Sequence, residues 1–427
     1  MTSVTRVEAS VLVAVAAGAL FGSPSATNVS IEQDPSTRVV TVSYSLGSEP
    51  AIVTADFTTN GVSIGAANMR RVAGDVNRLV TNVASTCSFT WLPDREWADR
   101  VVDDGSVKAV VRVWATNCPP DYMAIDLRVV TNGVSFYADE SALPYAVTND
   151  YYRHDALLMR KIHAADVEWA MGVAEPDIGR DHGNNRDREK LHQVRLSADY
   201  YIGVFLLTQQ QYYRATRSRP SVFRNRDDAY SRPVEGVSYN MYRAGADTTD
   251  WAGWPSMAHE VKDGSVLRKF RDLTGVELDL PTDAQWEYAA RAGVYLPLPS
   301  GKRASAETLG EIAWYSGNSY VEAQDQMETH PVGMKAPNAW GLYDVLGNTQ
   351  EMVLDYHANS PSEAQVDPVG AASGSYRVLR SGTYDFALAD SYVSMRNLID
   401  PRNNGSNSAS MRKVSLRLCC PAAVSVR

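Results

Sequence analysis

Soft-metal and redox chemistry needs thiolates, and this chain has four cysteines, Cys87, Cys118, Cys419 and Cys420. No two are spaced Cys-x-x-Cys, which excludes a zinc ribbon or a thioredoxin-like pair. Cys419 and Cys420 are adjacent. On a strand, neighbouring side chains point to opposite faces, so the expectation is core packing for one thiol and incidental placement for the other. In an exported protein Cys87 and Cys118 could be joined, but spacing does not supply the geometry, and a disulfide and two thiols stand as alternatives. The seven histidines are His154, His163, His182, His192, His259, His330 and His357. None is paired at i, i+3 or i, i+4, so a helix-borne metal pair is absent and loop or surface positions are expected. There is no Walker loop, Gly-x-Ser-x-Gly elbow or His-Glu-x-x-His motif. Asp385 and Asp390 could share a cleft as an acid and base, although solvated surface carboxylates account for them more simply.

The elements that would position such groups begin with the overall composition. A chain of 427 residues exceeds one ordinary domain, so two globular units are expected. With 44% hydrophobic and 21% charged residues it reads as a folded protein. A formal net charge of -9 removes the broad attraction to phosphate backbones that nucleic-acid binding requires. The arginine-rich stretch of Arg214, Arg217, Arg219, Arg224, Arg226 and Arg232 contains Asp227 and Asp228, and reads as a solvated loop.

Near the start, Arg6 precedes an apolar run over residues 9–21, followed by small residues up to Ala26. The order is that of a signal peptide over residues 1–26, and the run is too short to span a bilayer. Export is therefore expected, to a secreted, periplasmic or cell-surface location. No later stretch is long and apolar enough for a membrane helix.

Alternating runs follow, including Val39-Val40-Thr41-Val42-Ser43-Tyr44, Ala51-Ile52-Val53-Thr54-Ala55, Ser88-Phe89-Thr90-Trp91 and Val107-Lys108-Ala109-Val110-Val111. Short strands at this spacing predict an all-β immunoglobulin- or fibronectin-like sandwich over residues 27–142. A linker is expected at 143–155, a second domain at 156–421 and a tail at 422–427. In the second domain Thr282 and Gln285 have the spacing of a capping box. Trp286, Ala289 and Ala290 then fall on one helical face, and Gly293 is placed to stop the helix.

An ordered series of motifs runs through this second part. Trp169-Ala170-Met171-Gly172 comes first, then Tyr200-Tyr201-Ile202-Gly203-Val204 and Leu280-Pro281-Thr282-Asp283-Ala284-Gln285-Trp286-Glu287-Tyr288-Ala289-Ala290-Arg291. Asn338-Ala339-Trp340-Gly341-Leu342-Tyr343-Asp344-Val345-Leu346-Gly347-Asn348, Arg380-Ser381-Gly382-Thr383-Tyr384 and Ser415-Leu416-Arg417 complete it. In this order the chain resembles the formylglycine-generating enzyme, or sulfatase-modifying factor, family over residues 156–421. The resemblance implies an α+β, C-type-lectin-like domain with little regular secondary structure.

Family members that oxidise a sulfatase cysteine hold copper on two thiolates just after the segment matching residues 380–384. Residues 385–396 here contain no cysteine, so copper is not expected. The resemblance also implies a calcium site at Asp344, Gly347, Thr349 and Glu351, with carboxylate and backbone oxygens as ligands. The family's other calcium site has asparagine where Trp314 stands.

A binding or structural role without catalysis is thus the leading functional expectation, with an unidentified protein, peptide or glycan as partner. An oxidoreductase with a rearranged site is one alternative. Another starts from residues 383–410, which are dense in Tyr, Asp, Ser and Asn, as adaptable recognition surfaces are. Some lectin-like proteins diversify such a segment. Its candidate ligand-binding residues are Tyr384, Asp385, Phe386, Asp390, Tyr392 and Arg396.

Overall fold

The computed structural model describes residues 7–8, 24–47, 49–83, 86–93, 97, 102, 106–131, 133–173, 188–243, 261–401 and 411–424. The apolar run at 9–21, His182, His259 and residues 402–410 lie outside the described residues. Two compact units divide the chain: residues 1–124, 134–149 and 422–427 form one, and residues 125–133 and 150–421 the other. Each is described by itself.

In the first unit, strands β1 (Ala26–Gln33), β2 (Val40–Leu46), β4 (Val72–Gly74) and β6 (Cys87–Trp91) form one sheet in the order β1-β2-β6-β4. A second sheet pairs β3 (Ala51–Thr59) with β5 (Arg78–Val80) and β7 (Val107–Trp114). The period-2 pattern is visible in β2 and β7, where every second residue is buried. Val40, Val42 and Tyr44 of one sheet share a core with Val53, Phe57, Val107 and Val111 of the other. Trp91 sits at its centre, stacked on Phe57 with ring centroids 4.3 Å apart, while its indole N–H donates to the Asn68 carbonyl at 2.8 Å. This unit is an antiparallel β-sandwich. None of the four cysteines is disulfide-bonded.

The second unit mixes short strands, helices and long ordered loops. Strands β8 (Ala156–Ile162), β11 (Tyr200–Gly203) and β17 (Cys419–Pro421) lie side by side. A small sheet joins β9 (Val167–Met171), β10 (His192–Leu196) and β13 (Gln365–Val366), the last running parallel to β10. A third runs β15-β14-β12-β16, from Asn397–Ile399, Arg377–Arg380, Gln350–Tyr356 and Val414–Leu416 respectively.

The capped helices α1 (Gln209–Thr216), α2 (Val266–Thr274), α3 (Asp283–Arg291) and α4 (Ala306–Ile312) surround these sheets in sequence. The α3 capping box forms as its sequence predicts: Gln285 N–H donates to Thr282 Oγ1 at 3.1 Å, and Thr282 N–H to Gln285 Oε1 at 2.9 Å. Trp286, Ala289 and Ala290 are buried. The stop falls one residue earlier than Gly293, because Ala292 itself takes the left-handed conformation at φ 48°. Among the described residues no helix is long and apolar enough to cross a membrane.

Replacing Thr282 by Ala removes one arm of the box, and the second unit is expected to lose about 1 kcal/mol. Equilibrium urea denaturation measures this, and an unchanged midpoint would mean that the cap contributes nothing.

Candidate functional site

Helix α3 carries Asp283, Glu287 and Arg291 four residues apart, hence on one face. All three are buried. Arg380, at the end of β14 and fully buried, lies against this face, and its guanidinium bridges the carboxylates of Asp283 and Glu287. Its remaining donor reaches the carbonyls of Val393 at 3.1 Å and Met395 at 3.0 Å, which fixes the path of the segment that follows β14. Arg291 donates to Glu287 Oε1 at 2.8 Å and to the Gly172 carbonyl at 2.6 Å. Gly172 N–H donates back to Glu287 at 2.8 Å. Burial alone would push the Glu287 carboxyl up, but Arg291, Arg380 and the Gly172 N–H together bring it down to about 2.

A second buried pair lies on β12. Glu351 accepts from Arg417 at 3.1 and 3.2 Å and from the Trp286 indole N–H at 2.8 Å. Arg417 continues to the carbonyls of Gly203, Val204 and Tyr343 at 2.7–2.9 Å. Beside it, Asp344 accepts from Gly333 N–H at 2.8 Å and from the Asn348 amide at 3.4 Å. Gly347 is required by packing: at φ 74°, a Cβ would stand 2.2 Å from the Trp314 carbonyl, to which Asn348 N–H donates at 2.8 Å. The Thr349 hydroxyl is buried without a hydrogen-bond partner.

Asp344, Gly347, Thr349 and Glu351 are thus gathered in one loop and strand start. The carboxylates that would have to balance a calcium ion are already committed to protein donors. Among the described residues no three His, Cys, Asp or Glu side chains stand close enough to share a metal. Together with their donors these residues form a closed hydrogen-bonded hub.

Copper fares no better. Cys419 pairs with Ile202 and Cys420 with Tyr201, so the thiols alternate across β17. Both are buried, which differs from the expectation that only one would pack inside. Burial pushes the Cys420 thiol up to about 12 and Cys419 well above its ordinary range, which disfavours the thiolate form.

The six candidate ligand residues separate. Tyr384 is buried edge-on against Phe223, with centroids 6.0 Å apart. Asp385 pairs with Lys413 and accepts from the Thr383 hydroxyl. Phe386, Asp390 and Tyr392 are half-buried on the same segment. Arg396 is buried and turned the other way, its guanidinium 2.8 Å from Asp283 and donating to the Ala358 carbonyl at 2.9 Å. A cavity of ≈ 370 Å³ opens there, lined by Arg396, Asp283, Asp355 and His192. No motif pointed to Asp355, because it meets Asp283 across 72 positions of sequence.

Over residues 169–418 the chain matches the family described as the sulfatase-modifying factor enzyme 1-like domain. The chain belongs to this family. The formylglycine-generating enzyme of Streptomyces coelicolor is 34% identical over 145 residues, which is 31% of this chain and 43% of that protein. A Paenibacillus barcinonensis protein named chaperone protein LppX is 26% identical over 190 residues, covering 38% of this chain and 64% of its own. The alignments thus span under half the length of the Streptomyces enzyme and under two thirds of the Paenibacillus protein. Among solved structures, Treponema denticola variable protein 1 aligns with TM-score 0.46 and 25% identity, over 65% of this chain and 98% of that one. As a member of the sulfatase-modifying factor family, the chain has the α+β scaffold, and its residues 385–396 contain no cysteine.

Arg380→Met would leave two buried carboxylates short of a counter-charge, and a loss of about 3–5 kcal/mol is expected from urea midpoints. The Glu287 contribution has a defined pH sign. Its folded value lies below its ordinary 4.5, so the stability it adds is complete above pH 4.5 and is lost as pH falls towards 2. Glu287→Gln should flatten that part of the stability–pH curve, and an unaltered acid slope would refute the assignment.

Proposed function

We propose that this chain is an exported, non-catalytic member of the sulfatase-modifying factor family, whose domain serves as a scaffold for binding a protein, peptide or glycan. The observation that carries the reading is the absence of any cysteine between residues 385 and 396. Oxidising a peptide cysteine on copper requires soft ligands at that place. The two thiols of the domain are buried and on opposite faces of their strand.

Binding in place of catalysis is also consistent with where the polar groups went. Arg380, Arg417, Glu287 and Glu351 are consumed in holding the frame, and none is left facing a substrate. The half-buried residues Phe386, Asp390 and Tyr392, anchored at both ends by Tyr384 and Arg396, form the proposed recognition segment. Its adaptable composition suits a macromolecular or glycan partner. Family membership alone does not decide the matter, since function resides in sites placed on folds. The 344–351 loop is proposed to be self-sufficient, with no calcium.

Two measurements test this. Protein loaded anaerobically with copper(I) and given a cysteine-containing sulfatase peptide and oxygen is expected to yield no formylglycine by mass spectrometry, and robust conversion would overturn the proposal. Adding millimolar calcium to chelator-treated protein is expected to leave its melting temperature unchanged. A calcium-dependent rise would restore the cation to the loop.

A further inference from the structure

The cavity beside Arg396 is built differently from the recognition segment, and it has no place in the proposed function. Its volume of ≈ 370 Å³ is that of a small-molecule site. Asp355, at the end of β12, stands in its wall with 3% of its surface exposed. One carboxylate oxygen accepts from Asp283 N–H at 2.7 Å. The other has no hydrogen-bond donor among the described residues. The backbone of Gly370 closes over it at φ 77°, where a Cβ would come within 3.0 Å of that oxygen.

The neighbouring Asp283 is met by the guanidinium groups of Arg380 and Arg396. Burial, with Asp283 alongside, drives Asp355 upward.

His192 supplies a second open acceptor. It is 7% exposed, lines the same cavity, and its Nδ1 lies 2.8 Å from the Lys190 carbonyl. A carbonyl only accepts, so Nδ1 carries a proton, and in that tautomer Nε2 is an acceptor. Nε2 makes no hydrogen bond to the described residues. Exposed Asp367 lines the cavity too, with one oxygen held by Ser197 N–H at 2.8 Å.

Among the described residues lining the cavity, the one guanidinium, that of Arg396, already faces a carboxylate. Arg396 is held against Asp283, its Nε 2.8 Å from that carboxylate, and one terminal nitrogen donates to the Ala358 carbonyl and Ser360 Oγ. The remaining walls include the apolar side chains of Met171, Ala284 and Val369. A pocket of unsatisfied acceptors with an apolar lining is complementary to a donor-only cationic head on a short hydrocarbon body.

We propose that this cavity binds a small primary alkylammonium compound, its ammonium group held by Asp355 and His192 and its chain lying against Met171, Ala284 and Val369. An ammonium has three N–H donors and no acceptor, matching a wall that has acceptors to spare. The inference stands on this cavity alone and survives even if the domain proves catalytic.

Isothermal titration calorimetry on the full chain with n-pentylammonium and, as the uncharged analogue, 1-pentanol tests it. Saturable binding of pentylammonium is expected, with pentanol at least about tenfold weaker, as loss of a charge-assisted hydrogen bond predicts. Asp355→Asn should weaken pentylammonium by about tenfold or more, and Asp367→Asn at the exposed mouth by about threefold. Absence of saturable heat, equal binding of pentanol, or an unchanged affinity in Asp355→Asn would overturn the proposal. If Asp355→Asn fails to fold, Asp367→Asn decides: unchanged affinity overturns the site and weakened affinity supports it.

Discussion

The buried guanidinium of Arg380 is the constraint on which the second unit depends. It bridges two carboxylates on successive turns of α3 and two carbonyls of the segment beyond β14, all without access to water. Such a group is costly to desolvate and gains its place only when every donor is met with good geometry. The helix, the β14 strand and residues 393–395 are therefore fixed relative to one another by a single side chain. Long irregular loops can be ordered in this way where regular hydrogen-bond ladders are short.

Arg417 and Glu351 repeat the solution on the neighbouring strands. Their pair ties β12 to the backbone after β11 and to Trp286 of α3, so both ion networks meet on the same helix. Charged residues in this domain are consumed by architecture to an unusual degree. That is why an arginine and a glutamate within the motifs are poor guides to chemistry here.

The same economy makes the exceptions informative. Asp355 and His192 are as buried as the network residues, yet each keeps an acceptor without a protein donor, and both border one cavity. Beside carboxylates as fully engaged as those of Glu287 and Glu351, an open one is a feature to be explained, since an unmet buried polar group carries a desolvation cost.

The sequence by itself determined what depends on neighbours in the chain. The capping box at Thr282 and Gln285, the apolar face of α3 and the alternation in β2 and β7 are local patterns governed by backbone period and side-chain reach. The ordered motifs also sufficed to expect the α+β sulfatase-modifying factor domain. Tertiary structure alone decided the rest. Asp283 and Glu287 look like ordinary polar positions on a surface helix until Arg380, more than 90 residues away, is folded against them. Arg396, grouped by sequence with Tyr384 in one recognition segment, is turned instead towards Asp283 and the cavity. Cys419 and Cys420, of which only one was expected in the core, are both buried because both faces of β17 are covered. Burial and counter-charge are properties of the three-dimensional surroundings, and they set whether a carboxylate holds a frame together or waits for a ligand.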